Sequence, residues 1–445
     1  MVSSLRVKSL LSGSGGIVLS RLGGAGAGFL TQFLLVKLMG AAELGLFYAA
    51  SSLAAVLGVF LSQGYPQVAA RFIGRYRNKQ DAALAGRFAT QAIGEGLAAA
   101  LLGAVAVIVW ACAWPGFETG ERLAYAIAAV MLLAIVSLNI ITNIAGGMRA
   151  FVLCYVPEGL FRPLAFLLVC ATAGLTGVHL TGAMAMLIFA VITTAVAVSV
   201  ALSVIRRMPR LHWRIGWRGR LPRRWRIESW QLLLTAVFTN FFADACIFIS
   251  TPFLSHSDTA VFGLCLKLAL LVGYFIQIGQ QMAVPDMADA RHSDDEEHLR
   301  RAAWRSIKGP SAIAALAVAA SLLFGRQFLS YFGADFAAGA AALSLLLGAQ
   351  LLRALAGPGV HQLVLSGKQG PNIALASSAL IVLFLASAML CPKFGPAGGA
   401  IAVLVVQAYW NVASICALKW LGEPSLDVIW VFQSRSFIRL RARPA

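Results

Sequence analysis

Residues 206–226 read RRMPRLHWRIGWRGRLPRRWR, and they form the longest polar segment of a chain that otherwise consists mainly of apolar runs. Nine arginines and three tryptophans fall within this segment. It lies near the middle of the 445 residues, so it divides the chain into two apolar halves of similar length. The fold class therefore depends on what the apolar runs on either side can form.

The composition indicates a chain that lies almost entirely in a membrane. Hydrophobic residues make up 59% and charged residues 12%, with a mean hydropathy of +0.80, whereas soluble domains carry about 25% charged residues. A bilayer core of about 30 Å needs about 20 apolar residues per helical span. The apolar runs reach this length and do not alternate as the strands of a membrane barrel do. We therefore predict an all-α polytopic membrane protein.

Apolar windows predict twelve spans, six on each side of the basic segment. Residues 1–205 form an N-terminal six-helix lobe, 206–228 a basic cytoplasmic linker, 229–421 a C-terminal six-helix lobe and 422–445 a basic tail. The twelve predicted spans are 14–38, 44–66, 88–113, 122–145, 152–175, 181–205, 229–254, 259–284, 309–329, 340–365, 371–391 and 397–419.

The distribution of cations predicts the orientation of these spans. With both termini in the cytoplasm, 29 of the 36 lysines and arginines lie on the cytoplasmic side. The other side holds only Lys37, Arg122, Arg326 and Lys393. Cytoplasmic loops of membrane proteins carry such an excess of positive charge. The sequence thus predicts cytoplasmic N and C termini and a bacterial cytoplasmic membrane.

The basic segment has two readings. Trp213, Trp217 and Trp225 among its arginines fit a helix that lies on the anionic leaflet with its indoles at headgroup depth. A solvated basic loop that only sets topology is the alternative. Binding of nucleic acid is not expected, because the other cations lie in short loops between spans.

Three stretches give the chain a resemblance to a known family. They are SRLGGAGAGFLTQFLLVKLMGAAELGLFYAA (20–50), FGLCLKLALLVGYFIQIGQQMAVPDMADA (262–290) and FLSYFGADFAAGAAALSLLLGAQLLRALAGPGVHQLVLSGKQG (328–370). In these the chain resembles the polysaccharide transporters of the MOP superfamily, the Wzx-type flippases. The resemblance implies two pseudo-symmetric six-helix lobes that rock about a central cavity. It also implies an undecaprenyl-diphosphate-linked oligosaccharide as cargo, a surface-polysaccharide pathway such as O-antigen or exopolysaccharide synthesis, and a polysaccharide polymerase and export machinery as partners.

Ionisable residues inside spans are costly and are therefore candidates for function. Arg21 in the first span shares a helix face with Gly24, Gly28 and Gln32. One reading is an arginine that contacts the diphosphate through charge-assisted hydrogen bonds, and the other is an arginine that reaches the headgroups. In the related lipid II flippases, cations on helices one and eight contact the diphosphate, and Arg21 and Lys267 match those positions. The helix-two cation of that branch has no counterpart here.

Two further groups of polar residues lie in the second half. Asp244 and Lys267 lie at similar predicted depths on consecutive spans, either as a structural ion pair or as a diphosphate site with a coupling carboxylate. Asn240 extends the polar face of Asp244. Tyr274 and Gln281 follow Lys267 at intervals of seven residues.

Arg353 in the tenth span is either a third cation for the substrate or a packing residue beside a kink at Pro358. No Walker A loop, nucleophile elbow or zinc-binding pattern is present in the sequence. We therefore expect transport without catalysis, cofactor or bound metal, driven by a proton or sodium gradient or by consumption of the product.

Three other functions are alternatives. A lipid II flippase typically has two additional helices, and we expect this chain to be too short for them. A cation or drug antiporter of the same superfamily would need acidic residues in its first lobe, and the first span carries an arginine and no acid. A membrane glycan polymerase or ligase would carry a large periplasmic loop, and the longest predicted here is about a dozen residues, within the range of ordinary connections.

Overall fold

The computed structural model describes residues 14–79, 81–207, 223–292, 296–359 and 369–432, and these are helical with no strand among them. Helices satisfy every backbone hydrogen bond within one segment, which is why apolar runs of this length form them in a membrane. Among the described residues, nine helices are long and apolar enough to cross a bilayer. The chain is thus a multi-pass helical membrane protein. The count of twelve spans and their orientation stay predictions.

Contacts divide the chain into two compact units. Unit 1 comprises residues 1–248 and 255–260, and unit 2 comprises residues 249–254 and 261–445. The helices up to the end of the eighth are α1 (Ser14–Leu38), α2 (Ala41–Leu61), α3 (Tyr65–Asn78), α4 (Ala82–Ala113), α5 (Thr119–Gly147), α6 (Phe151–Leu175), α7 (Gly182–Arg207) and α8 (Arg223–Asn240). Those that follow are α9 (Phe242–Ser250), α10 (His256–His292), α11 (Glu296–Ser330), α12 (Ala340–Leu355) and α13 (Gln369–Trp420).

Helix α5 is the centre of unit 1 and packs against α2, α3, α4 and α7. Small residues on its neighbours allow this close approach. A Cβ atom at Gly58 of α2 would lie 2.5 Å from Ile135, and one at Gly96 of α4 would lie 2.5 Å from Ile140. Both isoleucines therefore pack directly onto glycine backbone.

The predicted second span ends earlier than expected, and the loop predicted to follow it is largely a helix. The chain breaks at Gln63 and Gly64, which have φ of 52° and 73°, and α3 begins with Pro66 in its first turn. Apolar residues of α3 are buried at helical spacing (Tyr65, Val68, Ala69, Phe72 and Ile73). The arginines of α3 lie on the remaining surface, so a hydropathy window sees only a basic segment.

Helix α6 contains a π-helical turn at Pro157–Phe161. This turn alters the spacing expected for a surface ion pair between Glu158 and Arg162, because a π turn inserts an extra residue into the α-helical register. The Arg162 guanidinium instead lies over the ring of Phe189, 5.4 Å from its centre. Glu158 and Arg162 therefore form no ion pair in this part of the described chain, although they are four residues apart.

Unit 2 shows two departures from the predicted span limits, at α11 and α12. Helix α11 begins at Glu296, well before residue 309, where the ninth span is predicted to start, while Asp294 and Asp295 lie outside the described residues. Its extra turns bury Leu299 and Ile307. Helix α12 ends at Leu355 instead of 365, because Gly357 turns the chain with φ of 67°.

The last two predicted spans form one reversing element. Gly395 has φ of 54° and ψ of −132° between Pro392 and Pro396, and helix α13 changes direction there. The Tyr409 hydroxyl donates to Ser378 Oγ at 2.8 Å, which shows that the two arms run side by side. The helix therefore folds back on itself with almost no connecting loop.

Candidate functional site

Arg21 lies near the start of α1, and its side chain is outside what the structure describes. The glycines on its face serve different purposes. A Cβ atom at Gly24 would lie 1.6 Å from the carbonyl oxygen of Gly159 in the π turn of α6, whereas one at Gly28 would meet nothing within 4 Å. Gly24 is thus a helix-packing residue, and Gly28 leaves open space beside α1.

We expect Gly24→Ala to destabilise the protein and Gly28→Ala to leave its stability nearly unchanged. The added methyl at Gly24 must push two backbones apart, and overpacking of this kind costs about 1–3 kcal/mol. At Gly28 the methyl has room, and its effect stays within the helix-propensity gain of about 1 kcal/mol. Thermal unfolding of the purified variants in detergent measures the difference. Equal midpoints would show that α1 and α6 separate freely.

Gln32 is held within unit 1. Its side-chain carbonyl accepts a hydrogen bond from the hydroxyl of Tyr48, which is fully buried on α2. The glutamine is itself half-buried, so the pair joins α1 to α2 one turn beyond the open space at Gly28. This polar pair is the part of the predicted first-span face that the structure defines best.

Asp244 and Lys267 fall into different units, and their predicted pairing stays a prediction. Asp244 is half-buried at the start of α9 in unit 1, and Lys267 is half-buried on α10 in unit 2. The side chain of Asn240, at the end of α8, lies outside the described set. A break at Phe241 separates α8 from α9, so the predicted seventh span is not one continuous helix.

The stripe predicted on α10 is only partly an interior face. Tyr274 is 44% exposed and Gln281 is also exposed, while Lys267 is half-buried. The neighbouring Gln280 is the buried glutamine, and its Nε2 donates to the Gly357 carbonyl at 3.0 Å. Sequence spacing could not distinguish the two glutamines, because they are adjacent and either could face the interior.

In unit 2, Asn411 of α13, itself paired with Gln407, contacts α12 at the Leu352 carbonyl, next in sequence to Arg353. Arg353 follows Gln350 by three residues and lies half-buried in the last turn of α12, where the helix dipole favours a cation. It makes no ion pair or hydrogen bond with any residue in the described ranges. A cation inside a predicted span is costly without a partner, so its charge is available to a ligand.

Gln350 and Gln407 are buried and Asn411 is half-buried, and one of their side-chain atoms is unsatisfied within the described part of the chain. Gln350 is 5% exposed, and its Oε1 has no hydrogen-bond partner among the described residues. Its amide crosses Gly273 of α10, where a Cβ atom would lie 2.8 Å from Oε1. Asn411 Nδ2 donates to the Leu352 carbonyl at 2.9 Å, and Gln407 Nε2 donates to Asn411 Oδ1 at 3.0 Å. Buried polar groups normally have partners, so these amides are candidates for ligand contact.

A hydrogen-bonded network around Glu95 in unit 1 is not apparent from the sequence. The Glu95 carboxylate accepts hydrogen bonds from the Tyr65 hydroxyl at 2.5 Å, from Gln91 Nε2 at 3.0 Å and from the Arg226 guanidinium. The hydrogen bonds and charge of Glu95 raise the pKa of Arg226. The network joins α3, α4 and α8, and no spacing in the sequence links these three segments.

Further contacts with α3 and α4 hold the start of α8 in place. Trp225 is 1% exposed and packs among Phe72, Tyr76 and Phe88, and its Nε1 donates to the Tyr76 hydroxyl at 2.8 Å. Arg224 and Arg71 both pair with Glu228. Burial, together with the charges of Arg75 and Arg224, lowers the pKa of Arg71. The end of the basic segment is therefore clamped onto unit 1, while residues 208–222 lie outside the described set.

A second unpredicted polar pair lies in unit 1, between His256 and Glu121. The backbone holds it in place, because a Cβ atom at Gly45 would lie 1.7 Å from the His256 carbonyl oxygen. No group of three or more metal-ligating side chains occurs among the residues that the structure describes. The polar contacts among the described residues are hydrogen bonds and ion pairs.

Comparison with solved structures shows the same fold in membrane transporters. An inward-facing multidrug resistance MATE family transporter of the MOP superfamily aligns with a TM-score of 0.67 over 94% of this chain and 96% of its own, at 16% identity. The lipid II flippase MurJ in an inward closed conformation aligns with a TM-score of 0.68 over 91% of this chain and 87% of its own, at 11% identity. The chain therefore shares its fold with both proteins.

The similarity lies in the fold and not in the sequence. No family model and no curated protein matches the chain. A MATE structure in the straight conformation is 18% identical, with a TM-score of 0.53. The same fold thus occurs in a multidrug resistance transporter and in a lipid II flippase, so the cargo of this chain must be argued from its own residues.

Proposed function

We propose that this protein is a flippase that moves an undecaprenyl-diphosphate-linked oligosaccharide across the bacterial cytoplasmic membrane by alternating access. The observation that carries the proposal is an arginine without a partner inside a predicted span. Arg353 is half-buried and has no partner among the described residues, and the sequence of α1 carries Arg21 and no acidic residue. A diphosphate is an anion that arginine binds through charge-assisted hydrogen bonds.

Other features support a glycan as the remainder of the cargo. Gln350 precedes Arg353 by three residues on α12, and Asn411, paired with Gln407, contacts the adjacent Leu352. Amides suit the hydroxyl groups of sugars. The resemblance to Wzx-type flippases points to a surface-polysaccharide repeat unit, with a polymerase and export machinery as partners. Transport of organic cations would require an interior of the opposite charge, which is why the MATE-type antiporter is the weaker candidate. The driving force would be an ion gradient or downstream consumption.

The test is the leaflet distribution of the lipid-linked oligosaccharide in a deletion strain. We expect the deletion to trap the oligosaccharide on the cytoplasmic leaflet, the wild-type gene to restore export, and Arg21→Ala or Lys267→Ala to restore little. Lys37→Ala is the matched control, because Lys37 is an exposed cation at the end of the same helix as Arg21. Each variant is first quantified in the membrane. Intact export with altered tolerance of cationic drugs would favour the antiporter.

A further inference from the structure

Unit 1 carries an apolar groove that plays no part in the site described above. Its volume is about 880 Å³, and α5 and α7 form most of its lining, with Ile108 of α4 at one end. The lining contains no charged residue (Ile108, Ala126, Ile127, Val130, Leu187, Ala190, Val191, Thr194, Ala195, Val198, Ser199 and Leu202). The groove therefore offers a continuous hydrocarbon surface.

The groove is open and long enough for an acyl chain. Its residues from Val130 to Leu202 include five large aliphatic side chains that are 45% to 61% exposed. From Leu187 to Leu202 it follows α7 for about 22 Å, at about 1.5 Å per residue. One leaflet supplies about half of a hydrocarbon core of about 30 Å. A chain from a single leaflet can thus lie in the groove and cover about two-thirds of its length.

The hydroxyl groups of the lining donate their protons within α7. Thr194 Oγ1 donates to the Ala190 carbonyl, and Ser199 Oγ donates to the Val196 carbonyl, both at 2.8 Å. Such bonds are common for serine and threonine in membrane helices. A sugar or a peptide backbone would find only these two hydroxyl oxygens as acceptors in the lining, whereas a hydrocarbon chain needs none.

Positive charge lies at one end of the groove. Arg206 is exposed and follows Leu202 by four residues, so the two share a face of α7. Arg149 is exposed just beyond the end of α5, and its neighbours Met148 and Ala150 pack on the cluster that contains Val204. The two arginines therefore lie at the same end of the α5–α7 pair. This is the end that the charge distribution predicts to be cytoplasmic.

We infer that the groove is a binding site for an anionic phospholipid. One acyl chain lies between α5 and α7, and the phosphate contacts Arg206 and Arg149. Basic sites at the cytoplasmic ends of membrane helices bind anionic headgroups in this way. The site is independent of the cargo proposed above.

The test measures lipid binding to the full-length protein in detergent by native mass spectrometry, with phosphatidylglycerol and phosphatidylcholine as probes. We expect a preference for phosphatidylglycerol of about fivefold for each arginine engaged. Ala195→Trp, which fills the groove at an exposed position, removes the binding of both lipids. Ala106→Trp, at an exposed position of α4 outside the groove, preserves it. Arg206→Gln with Arg149→Gln removes the preference, and Arg326→Gln keeps it.

A second measurement requires no substitution in the groove. A phosphatidylglycerol with a photoreactive group in its acyl chain should label peptides of α5 and α7 in the wild-type protein. The proposal is overturned if labelling falls elsewhere, or if the preference survives loss of both arginines. It is also overturned if undecaprenyl diphosphate displaces the phospholipid from the groove, which would make the groove a cargo site. A dimer whose interface covers α5 and α7 would overturn it as well.

Discussion

Arg353→Gln is expected to lower transport of the lipid-linked oligosaccharide by about 10- to 150-fold, because it removes a charge-assisted hydrogen bond worth about 1.5–3 kcal/mol. The same substitution is expected to leave thermal stability unchanged or to raise it. Arg353 has no partner among the described residues, so replacing it with a neutral side chain relieves a desolvated charge and breaks no ion pair. Opposite effects on activity and stability are typical of residues kept for function.

Two controls make this prediction specific. Arg353→Lys keeps the charge but loses the bidentate geometry, so it should retain an intermediate rate. Arg326→Gln removes an exposed arginine from the neighbouring helix α11 and should change neither quantity. Initial rates in vesicles and unfolding midpoints in detergent give both measurements. Lower stability together with lower transport would assign Arg353 to helix packing near Pro358 instead.

Trp225→Ala is expected to destabilise unit 1 by about 3–5 kcal/mol, the usual cost of truncating a buried large aromatic side chain. Trp225 is 1% exposed, packs edge-on against Phe88 with ring centres 5.3 Å apart, and donates to Tyr76. Its loss leaves a hole at the junction of α3, α4 and α8 and an unpaired tyrosine hydroxyl. Thermal unfolding of the purified variant measures the change.

The matched control lies on the same helix. Trp230 is 55% exposed, so Trp230→Ala should change stability by no more than about 0.5 kcal/mol. Trp225→Phe keeps the ring but loses the hydrogen bond, which costs about 1 kcal/mol. A ranking in which Trp230→Ala is as damaging as Trp225→Ala would show that α8 is held by its exposed face. The buried contacts of Trp225 would then not be what holds α8 in place.

Much of the fold could be predicted from the sequence, because backbone hydrogen bonding in a bilayer is satisfied within each segment. A long apolar run must satisfy its own backbone hydrogen bonds, so α1, α4, α5 and α7 lie close to their predicted positions. Amphipathic helices were harder to find. The buried face of α3 is apparent only when Phe72 and Ile73 are known to contact other helices, and the arginines around them predict a loop.

In the candidate site, the rare charges inside predicted spans can be identified from the sequence alone, because a single arginine stands out in an apolar run. The contacts that these and neighbouring residues make become known only from the folded structure. Gly24 and Gly28 look alike in sequence, yet only Gly24 contacts another backbone. Trp225, like Trp213 and Trp217, lies among arginines in the sequence. Contacts with helices that are distant in the chain bury Trp225. The burial of a side chain and the residues it contacts depend on segments far apart in the chain. The spacing of residues along one helix therefore cannot predict them.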